Sequence, residues 1–163
     1  MLTAEAPLPA PVRAEILALA AREPHPRGAG VAAVRLVQAR FGWVSTAHLR
    51  EVAGLLGMSA DDLDGIATYF NLLFRRPVGQ HVIMLCDSVS CWIMGRGPLC
   101  AHLCRTLGIK PGETTADNAI TLLPTVCIGH CDHAPAMLVD DTLHGDVDTA
   151  TLDRLIDTLR DTP

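Results

Sequence analysis

The sequence lacks the features that mark membrane-spanning, nucleic-acid-binding and nucleotide-binding chains. No apolar run reaches the ~18 residues of a membrane span, and no run of like charges accompanies the formal net charge of −5. There is no G-x-G-x-x-G fingerprint and no phosphate-binding loop, and the glycine pairs at 28–30 and 95–97 lack the third glycine and the preceding strand. A nucleic-acid partner, a membrane span and a dinucleotide site on this chain are therefore not expected.

The N-terminus also lacks the pattern of a secretory signal. The segment from Met1 to Pro7 contains neither a basic region nor an apolar stretch. Because disulfides persist in oxidising compartments, disulfide pairing of the cysteines is disfavoured.

The length and charge of the chain favour two units. Its 163 residues, nearly half of them apolar, suffice for one substantial domain or two small ones. Residues 1–80 carry eight arginines and seven acidic residues, whereas residues 81–163 carry five basic and eleven acidic residues. This asymmetry predicts two units with different surfaces.

The first half of the sequence predicts four helices joined by short connections. Pro11 suits a helix start, Gly42 and Gly57 suit helix ends, and Ser45 and Ser59 suit N-caps. Apolar residues at helical spacing are Val12, Ile16, Leu19 and Ala20; Val31, Val34, Val37 and Phe41; Leu49, Val52, Ala53 and Leu56; and Leu63, Ile66, Ala67, Phe70 and Phe74. Residues 1–76 are therefore expected to form a small helical bundle.

The second half of the sequence predicts a mixed α/β unit. Its hydrophobic period changes after Pro77-Val78-Gly79, which marks the expected boundary. The predicted elements are strands at 81–85, 119–123 and 136–139 and helices at about 97–107 and 152–159. The order β-α-β-β-α describes a small α/β sandwich over residues 77–163, so the expected fold class is α+β.

Four of the six cysteines form two pairs, C-x4-C at Cys86 and Cys91 and C-x3-C at Cys127 and Cys131. Each pair can reach one small inorganic centre, and four thiolates hold both [2Fe–2S] and [4Fe–4S] clusters. Structural zinc, usually held by C-x2-4-C knuckles, is one alternative. Four merely buried thiols are another. Both pairs are expected in loops where elements end, and a cluster there predicts electron transfer.

Several longer motifs accompany these cysteines. They are Phe41-Gly42-Trp43-Val44, Gly65-Ile66-Ala67-Thr68-Tyr69-Phe70, the run from Pro77 to Ile83, C-D-S-V-x-C at Cys86 to Cys91, and L-L-P-T-x-C-x-G-x-C-D at Leu122 to Asp132. Together they resemble the thioredoxin-like [2Fe–2S] subunit of the NADH-oxidising module of respiratory complex I, the E-subunit family of NADH-quinone oxidoreductase. The chain departs from that pattern at Tyr69-Phe70, usually Phe-Tyr, and at Asn118, often glycine; asparagine tolerates the same left-handed backbone.

This resemblance implies that Cys86, Cys91, Cys127 and Cys131 ligate one [2Fe–2S] cluster in a thioredoxin-like domain. It also implies electron exchange with the FMN of a companion subunit that binds NADH, for which residues 1–76 supply docking surface. The expected assembly is a hetero-oligomer, cytoplasmic and peripheral to the inner face of the cell membrane.

Other function classes remain open at this point. Related subunits serve NAD-linked hydrogenases and formate dehydrogenases. A stand-alone thioredoxin-like ferredoxin and a zinc-stabilised interaction domain are further alternatives. A ferredoxin needs only the second half of the chain, so the helical bundle favours a subunit of a larger assembly.

Two other groups of potential metal ligands are assigned structural or supporting roles. Cys100 and Cys104 lie one helical turn apart and are expected to pack as small hydrophobes rather than form a second metal site. His130 and His133 flank Cys131, but four cysteines already satisfy two irons, so histidine ligation is disfavoured. Either ring is a candidate for a hydrogen bond to sulfur.

A few further residues carry specific expectations. Trp92 is expected to pack rather than to relay electrons. Gly129 is expected to let the backbone pass close to a cluster, with its N–H donating to a cluster sulfide. Pro135 is expected to fix the exit of that loop. Arg75 and Arg76 are candidates for contact with a partner.

Overall fold

The computed structural model describes residues 6–161, which divide into two compact units, one ending at Pro77 and one beginning at Val78. Residues 1–5 contain most of the segment inspected for a secretory signal, and they lie outside the described residues. None of the helices within residues 6–161 is long and apolar enough to cross a membrane.

The first unit is helical throughout its described part. It contains α1 (Ala10–Ala20), a 3-10 turn (Pro26–Ala29), α2 (Gly30–Phe41), α3 (Thr46–Leu56) and α4 (Ala60–Tyr69). Each helix buries apolar residues three or four positions apart, such as Val12, Ile16 and Ala20 in α1. These side chains form one hydrophobic core. The four predicted helices are confirmed.

Helices α2, α3 and α4 begin or end at the capping residues that the sequence predicted. Ser45 Oγ accepts a hydrogen bond of 3.1 Å from the His48 N–H at the start of α3, and Ser59 caps α4 in the same way. Gly42 and Gly57 end α2 and α3 with φ of 80° and 64°, a left-handed conformation that glycine adopts without a steric penalty.

Helix α4 is shorter than its apolar periodicity predicts. It ends at Tyr69, so Phe70 and Phe74 do not continue its buried face. The side chain of Gln38 explains the difference, because it donates to the Leu72 carbonyl at 2.8 Å and accepts from the Phe74 N–H at 2.6 Å. This contact from α2 binds the backbone after α4 and overrides the local helical pattern.

Arg75 belongs to the interior contacts of the first unit. Its Nε lies 2.6 Å from Asp64 Oδ1, and its Nη1 donates to the Val44 carbonyl. Arg75 therefore has hydrogen-bond partners within its own unit, whereas Arg76 is exposed. Contact of either arginine with another protein stays a prediction.

The second unit is built on a four-stranded sheet. Its strands are β1 (His81–Cys86), β2 (Ile120–Thr125), β3 (Met137–Val139) and β4 (Thr142–His144), in the order β2-β1-β3-β4. β1 pairs with β2 in parallel and with β3 in the antiparallel sense, and β3 and β4 form a hairpin.

Three helices complete the second unit: α5 (Val89–Ile93), α6 (Arg96–Leu107) and α7 (Thr149–Asp161). Leu99, Leu103 and Leu107 of α6 pack in one core with Leu152 and Ile156 of α7 and with the sheet. The predicted α+β class is confirmed, because helices and a mixed sheet build the chain.

Three elements of the second unit were not predicted: α5, β4 and a 3-10 turn at Cys131–His133. Strand β4 has only three residues, of which Thr142 and Leu143 are exposed, so it carries no buried apolar run. The expected turn before it is present, with Asp140 at φ 53°. Asn118 adopts φ 58°, which confirms that asparagine preserves the left-handed turn there.

Replacing Ser45 with alanine is expected to destabilise the first unit by about 1 kcal/mol, because the His48 N–H loses its acceptor at the start of α3. Thermal or urea unfolding followed by circular dichroism measures this change. Ser59→Ala is the comparison and should cost less, since the Ser59 cap is exposed to solvent. Unchanged stability of Ser45→Ala would contradict the assigned role of this cap.

Candidate functional site

The parallel pairing of β1 and β2 brings both cysteine pairs to one edge of the sheet. Cys86 ends β1 and lies opposite Thr125, which ends β2. The carboxyl ends of parallel strands lie side by side, and this is where α/β folds commonly place their sites. The segment with Cys91 follows β1, and the segment with Cys127 and Cys131 follows β2.

The first cysteine pair is buried. Cys86 and Cys91 are 1% and 2% exposed and pack with Ala134 and Ala136. The Cys86 N–H donates to the Ala136 carbonyl at 3.2 Å, which ties the end of β1 to the segment entering β3. Cys91 lies in the short helix α5 and not in the loop that the sequence predicted. This helix turns the Cys91 thiol inward.

The second cysteine pair is exposed at the start of the segment after β2. The Sγ atoms of Cys127 and Cys131 are 3.4 Å apart. Between them, Gly129 has φ 81°, and its N–H donates to Cys127 Sγ at 3.4 Å. The left-handed conformation of Gly129 thus directs a backbone N–H at the Cys127 sulfur. The expected contact of this N–H with a cluster sulfide stays a prediction.

The four thiols influence one another electrostatically. Burial raises the pKa of Cys91, and the Cys86 and Cys131 thiols raise it further. The hydrogen bond with Cys127 raises the pKa of Cys131, and the Cys86 thiol raises it further. The Gly129 N–H is the main cause of a lowered pKa at Cys127. Cys91 and Cys131, one from each pair, thus interact electrostatically.

Ser88 and Ser90 interact with the second cysteine pair from the segment that carries the first pair. The Ser88 hydroxyl contributes to lowering the pKa of Cys127, and the Ser90 hydroxyl acts in the same direction on the pKa of Cys131. Hydrogen bonds to sulfur help to set the potential of an iron–sulfur centre. These contacts were not predicted, although both serines stand inside the C-x4-C motif.

The donors fit a two-iron cluster better than a single metal ion. Within residues 6–161, no group of three or more His, Cys, Asp or Glu side chains surrounds a single-ion position. All six cysteines are free thiols. Four thiols arranged as two pairs supply two ligands to each iron of a [2Fe–2S] cluster, whereas a structural zinc site gathers all four around one ion.

Cys100 and Cys104 lie outside this arrangement. They are partly buried on α6 and pack against the main core of the second unit, whereas Cys86 and Cys91 belong to a separate cluster of buried residues. Burial raises the pKa of Cys104. These observations support the predicted packing role.

The two histidines beside Cys131 contact acidic residues and each other. His133 Nδ1 lies 2.6 Å from Asp146 Oδ2, and this hydrogen bond raises the pKa of His133. The His133 ring stacks on the His130 ring with 4.7 Å between centroids. Asp146 was not identified from the sequence, because it lies 13 residues further along the chain.

The surface beside the cysteines carries exposed apolar side chains. Val89, Trp92, Ile93, Met94 and Val126 each leave more than half of their surface exposed. Trp92 is 69% exposed, so most of its side chain makes no packing contact within this chain. In the short helix α5 only Cys91 is buried, and the side chains of Val89, Trp92 and Ile93 are exposed.

A family model and several known proteins match this chain. The model, described as thioredoxin-like [2Fe-2S] ferredoxin, matches residues 16–160. The E subunit of NADH-quinone oxidoreductase from Pseudomonas aeruginosa is 44% identical over 122 residues, which cover 75% of this chain and 74% of the relative. The same protein from Escherichia coli K12 is 42% identical over 132 residues, 81% of this chain and 80% of the relative.

Further matches extend this picture. The NADH-quinone oxidoreductase E 2 subunit of Rhizobium meliloti is 42% identical over 149 residues, 91% of this chain and 89% of the relative. Among solved structures, an NAD+-reducing [NiFe]-hydrogenase in the air-oxidized state superposes with a TM-score of 0.72 and 26% identity over 83% of this chain. The match covers 23% of that hydrogenase chain.

Proposed function

This chain belongs to the thioredoxin-like [2Fe–2S] ferredoxin family, and we propose that it is an electron-transfer subunit in the NADH-oxidising module of a bacterial NADH-quinone oxidoreductase. The membership confirms the predicted resemblance and the [2Fe–2S] cofactor that it implied. The observation that carries the proposal is the gathering of two cysteine pairs at one sheet edge, in a chain that matches an E subunit over most of its length.

The proposed ligands of the single [2Fe–2S] cluster are Cys86, Cys91, Cys127 and Cys131. Such a cluster, when bound, supplies a centre that accepts and donates electrons. β1 and α5 hold Cys86 and Cys91 away from water, and the Gly129 N–H supports a thiolate at Cys127. No side chain of this chain is assigned bond-making chemistry.

The proposed source of electrons is a companion subunit that binds FMN and NADH. This follows from the absence of a nucleotide-binding motif in the chain itself. The assembly is then a hetero-oligomer. Because no helix within residues 6–161 is able to span a bilayer, we propose that the chain reaches the cytoplasmic face of the cell membrane only through that complex.

The proposed docking surface for the companion lies on the helical bundle of residues 1–76. Tyr69, Phe70 and Leu72 are exposed there, Tyr69 by 82%, and the Tyr69 and Phe70 rings meet edge to face at 5.3 Å. Exposed groups of large apolar residues often mark protein interaction sites. Electron exchange also requires approach to the cysteines, where Trp92 and Ile93 are exposed.

A second candidate is the corresponding subunit of an NAD-linked hydrogenase or formate dehydrogenase. The structural likeness to the NAD+-reducing hydrogenase favours it. The higher identity to the E-subunit relatives favours the first candidate. Identification of the proteins that copurify with the chain from its native host separates them, since one complex reduces quinone and the other contains a hydrogenase or formate dehydrogenase component.

Alanine at any one of the four proposed ligands is expected to impair cluster loading strongly, because one iron loses a thiolate. Iron analysis and visible absorption of anaerobically purified Cys86→Ala, Cys91→Ala, Cys127→Ala and Cys131→Ala measure loading. Cys100→Ala and Cys104→Ala are the matched controls, and each should load normally at a cost of about 1 kcal/mol in packing. Cluster loss in folded Cys104→Ala would refute the ligand assignment.

The isolated chain is expected not to oxidise NADH, and activity should appear when the flavin-bearing companion is added. In the full chain, replacing Tyr69 and Phe70 together with serine should weaken companion binding about tenfold or more, since a docking surface depends on a few large apolar anchors. Pull-down and spectrophotometric NADH oxidation measure both effects. Leu17→Ser, which alters an exposed apolar residue elsewhere on the bundle, is the control.

Two results would contradict these assignments in different ways. Companion binding that is unaffected by the Tyr69 and Phe70 replacements, yet lost when Trp92 and Ile93 are changed to serine, would move the interface to the cysteine segments. NADH oxidation by the isolated chain would overturn the proposed role itself.

A further inference from the structure

The segment that carries Cys127 and Cys131 has little internal support. None of residues 126–133 is fully buried, and burial resumes only at Ala134. A loop without buried side chains takes its position from the contacts that neighbouring segments make with it. The connection between β4 and α7 makes such contacts, through Gly145, Asp146 and Val147.

Hydrogen bonds join this connection to the cysteine segment at two backbone positions. The Asp146 N–H donates to the His133 carbonyl at 2.7 Å, and the Val147 N–H donates to the Pro135 carbonyl at 3.0 Å. The Asp146 carboxylate adds the 2.6 Å contact with His133 Nδ1. Val147 is 3% exposed and belongs to the main core of the unit, so the connection is itself anchored.

Gly145 lies directly against the two histidines that flank Cys131. A Cβ atom at this position would lie 2.6 Å from His130 Nε2, 2.6 Å from His133 Cβ and 2.7 Å from His130 Cδ2. Contacts this short require the neighbours to move. The backbone of Gly145 is not left-handed, so it is the space and not the φ angle that demands glycine.

We propose that residues 145–147 position the ligand segment of Cys131, with Gly145 setting how closely the His130 and His133 rings approach. The inference rests on the proposed ligation of a cluster by Cys131. His130 precedes Cys131 directly and His133 ends the short 3-10 turn that begins at Cys131, so displacement of either residue moves the Cys131 backbone. Gly145 and Asp146 are positioning residues in this account.

The test compares cluster retention in full-length variants loaded anaerobically with iron and sulfide. Gly145→Ala should release iron to a ferrous chelator about tenfold faster than the unmodified chain, the usual size of an effect from a group that orients a metal ligand. It should also shift the electron paramagnetic resonance signal of the reduced protein. Gly97→Ala is the matched control, because this exposed glycine of the same unit has no atom within 4 Å of an added Cβ and no left-handed backbone.

A rescue variant distinguishes positioning from general destabilisation. His130→Ala removes the two ring atoms that meet the new methyl group and leaves the contact with His133 Cβ. His130→Ala/Gly145→Ala should therefore release iron more slowly than Gly145→Ala alone, but faster than the unmodified chain. Thermal unfolding of the iron-free proteins checks that the fold survives. If Gly145→Ala does not fold, Asp146→Asn decides the matter, because asparagine keeps the left-handed backbone of Asp146, φ 48°. It replaces the charged acceptor of the His133 contact with a neutral amide, so Asp146→Asn should release iron faster than the unmodified chain.

The outcomes are distinguishable from failure of the proposed function. Equal iron release by Gly145→Ala and Gly97→Ala would overturn the inference, as would unchanged release by Asp146→Asn where Gly145→Ala is unfolded. Additive effects of His130→Ala and Gly145→Ala would also overturn it. An unmodified chain that takes up no cluster would instead refute the proposed function.

Discussion

The parallel pairing of β1 with β2 is the contact on which the site depends. It aligns the two strands from His81 opposite Ile120 to Cys86 opposite Thr125, so the segments after both strands emerge together. A shift of one residue would turn the side chains of β1 to the other face of the sheet. Parallel strands need a crossover connection, here α6, whose leucines pack in the core. The placement of the two cysteine pairs and the formation of the core therefore arise from the same arrangement.

The resulting site is asymmetric. Cys86 and Cys91 are buried and Cys127 and Cys131 are exposed. Metal ligation requires thiolates, and burial opposes this form at Cys91 by raising its pKa, whereas the Gly129 N–H favours it at Cys127 by lowering the pKa there. One side of the site is shielded from water and the other is open. This division suits a centre that is held firmly by its own chain while it exchanges electrons with another.

Local sequence patterns predicted the features of the structure that depend on neighbouring residues. The N-cap at Ser45 and the helix end at Gly57 depend on neighbouring residues, so both were predicted from the sequence. The two cysteine pairs were also recognised there, because each is a short motif. The path from Phe70 to Phe74 was not, because Gln38 on α2 binds that backbone. The contact of Asp146 with His133 was not predicted either, because it joins separate segments of the chain.

The central claim is that two cysteine pairs at one sheet edge hold a two-iron cluster. Metal and sulfide analysis of the unmodified chain, purified anaerobically from its native host, tests it most directly when combined with electron paramagnetic resonance after dithionite reduction. The account predicts about two irons and two sulfides per chain and the signal of a half-integer-spin [2Fe–2S] centre. Stoichiometric zinc with no iron-dependent signal would contradict it.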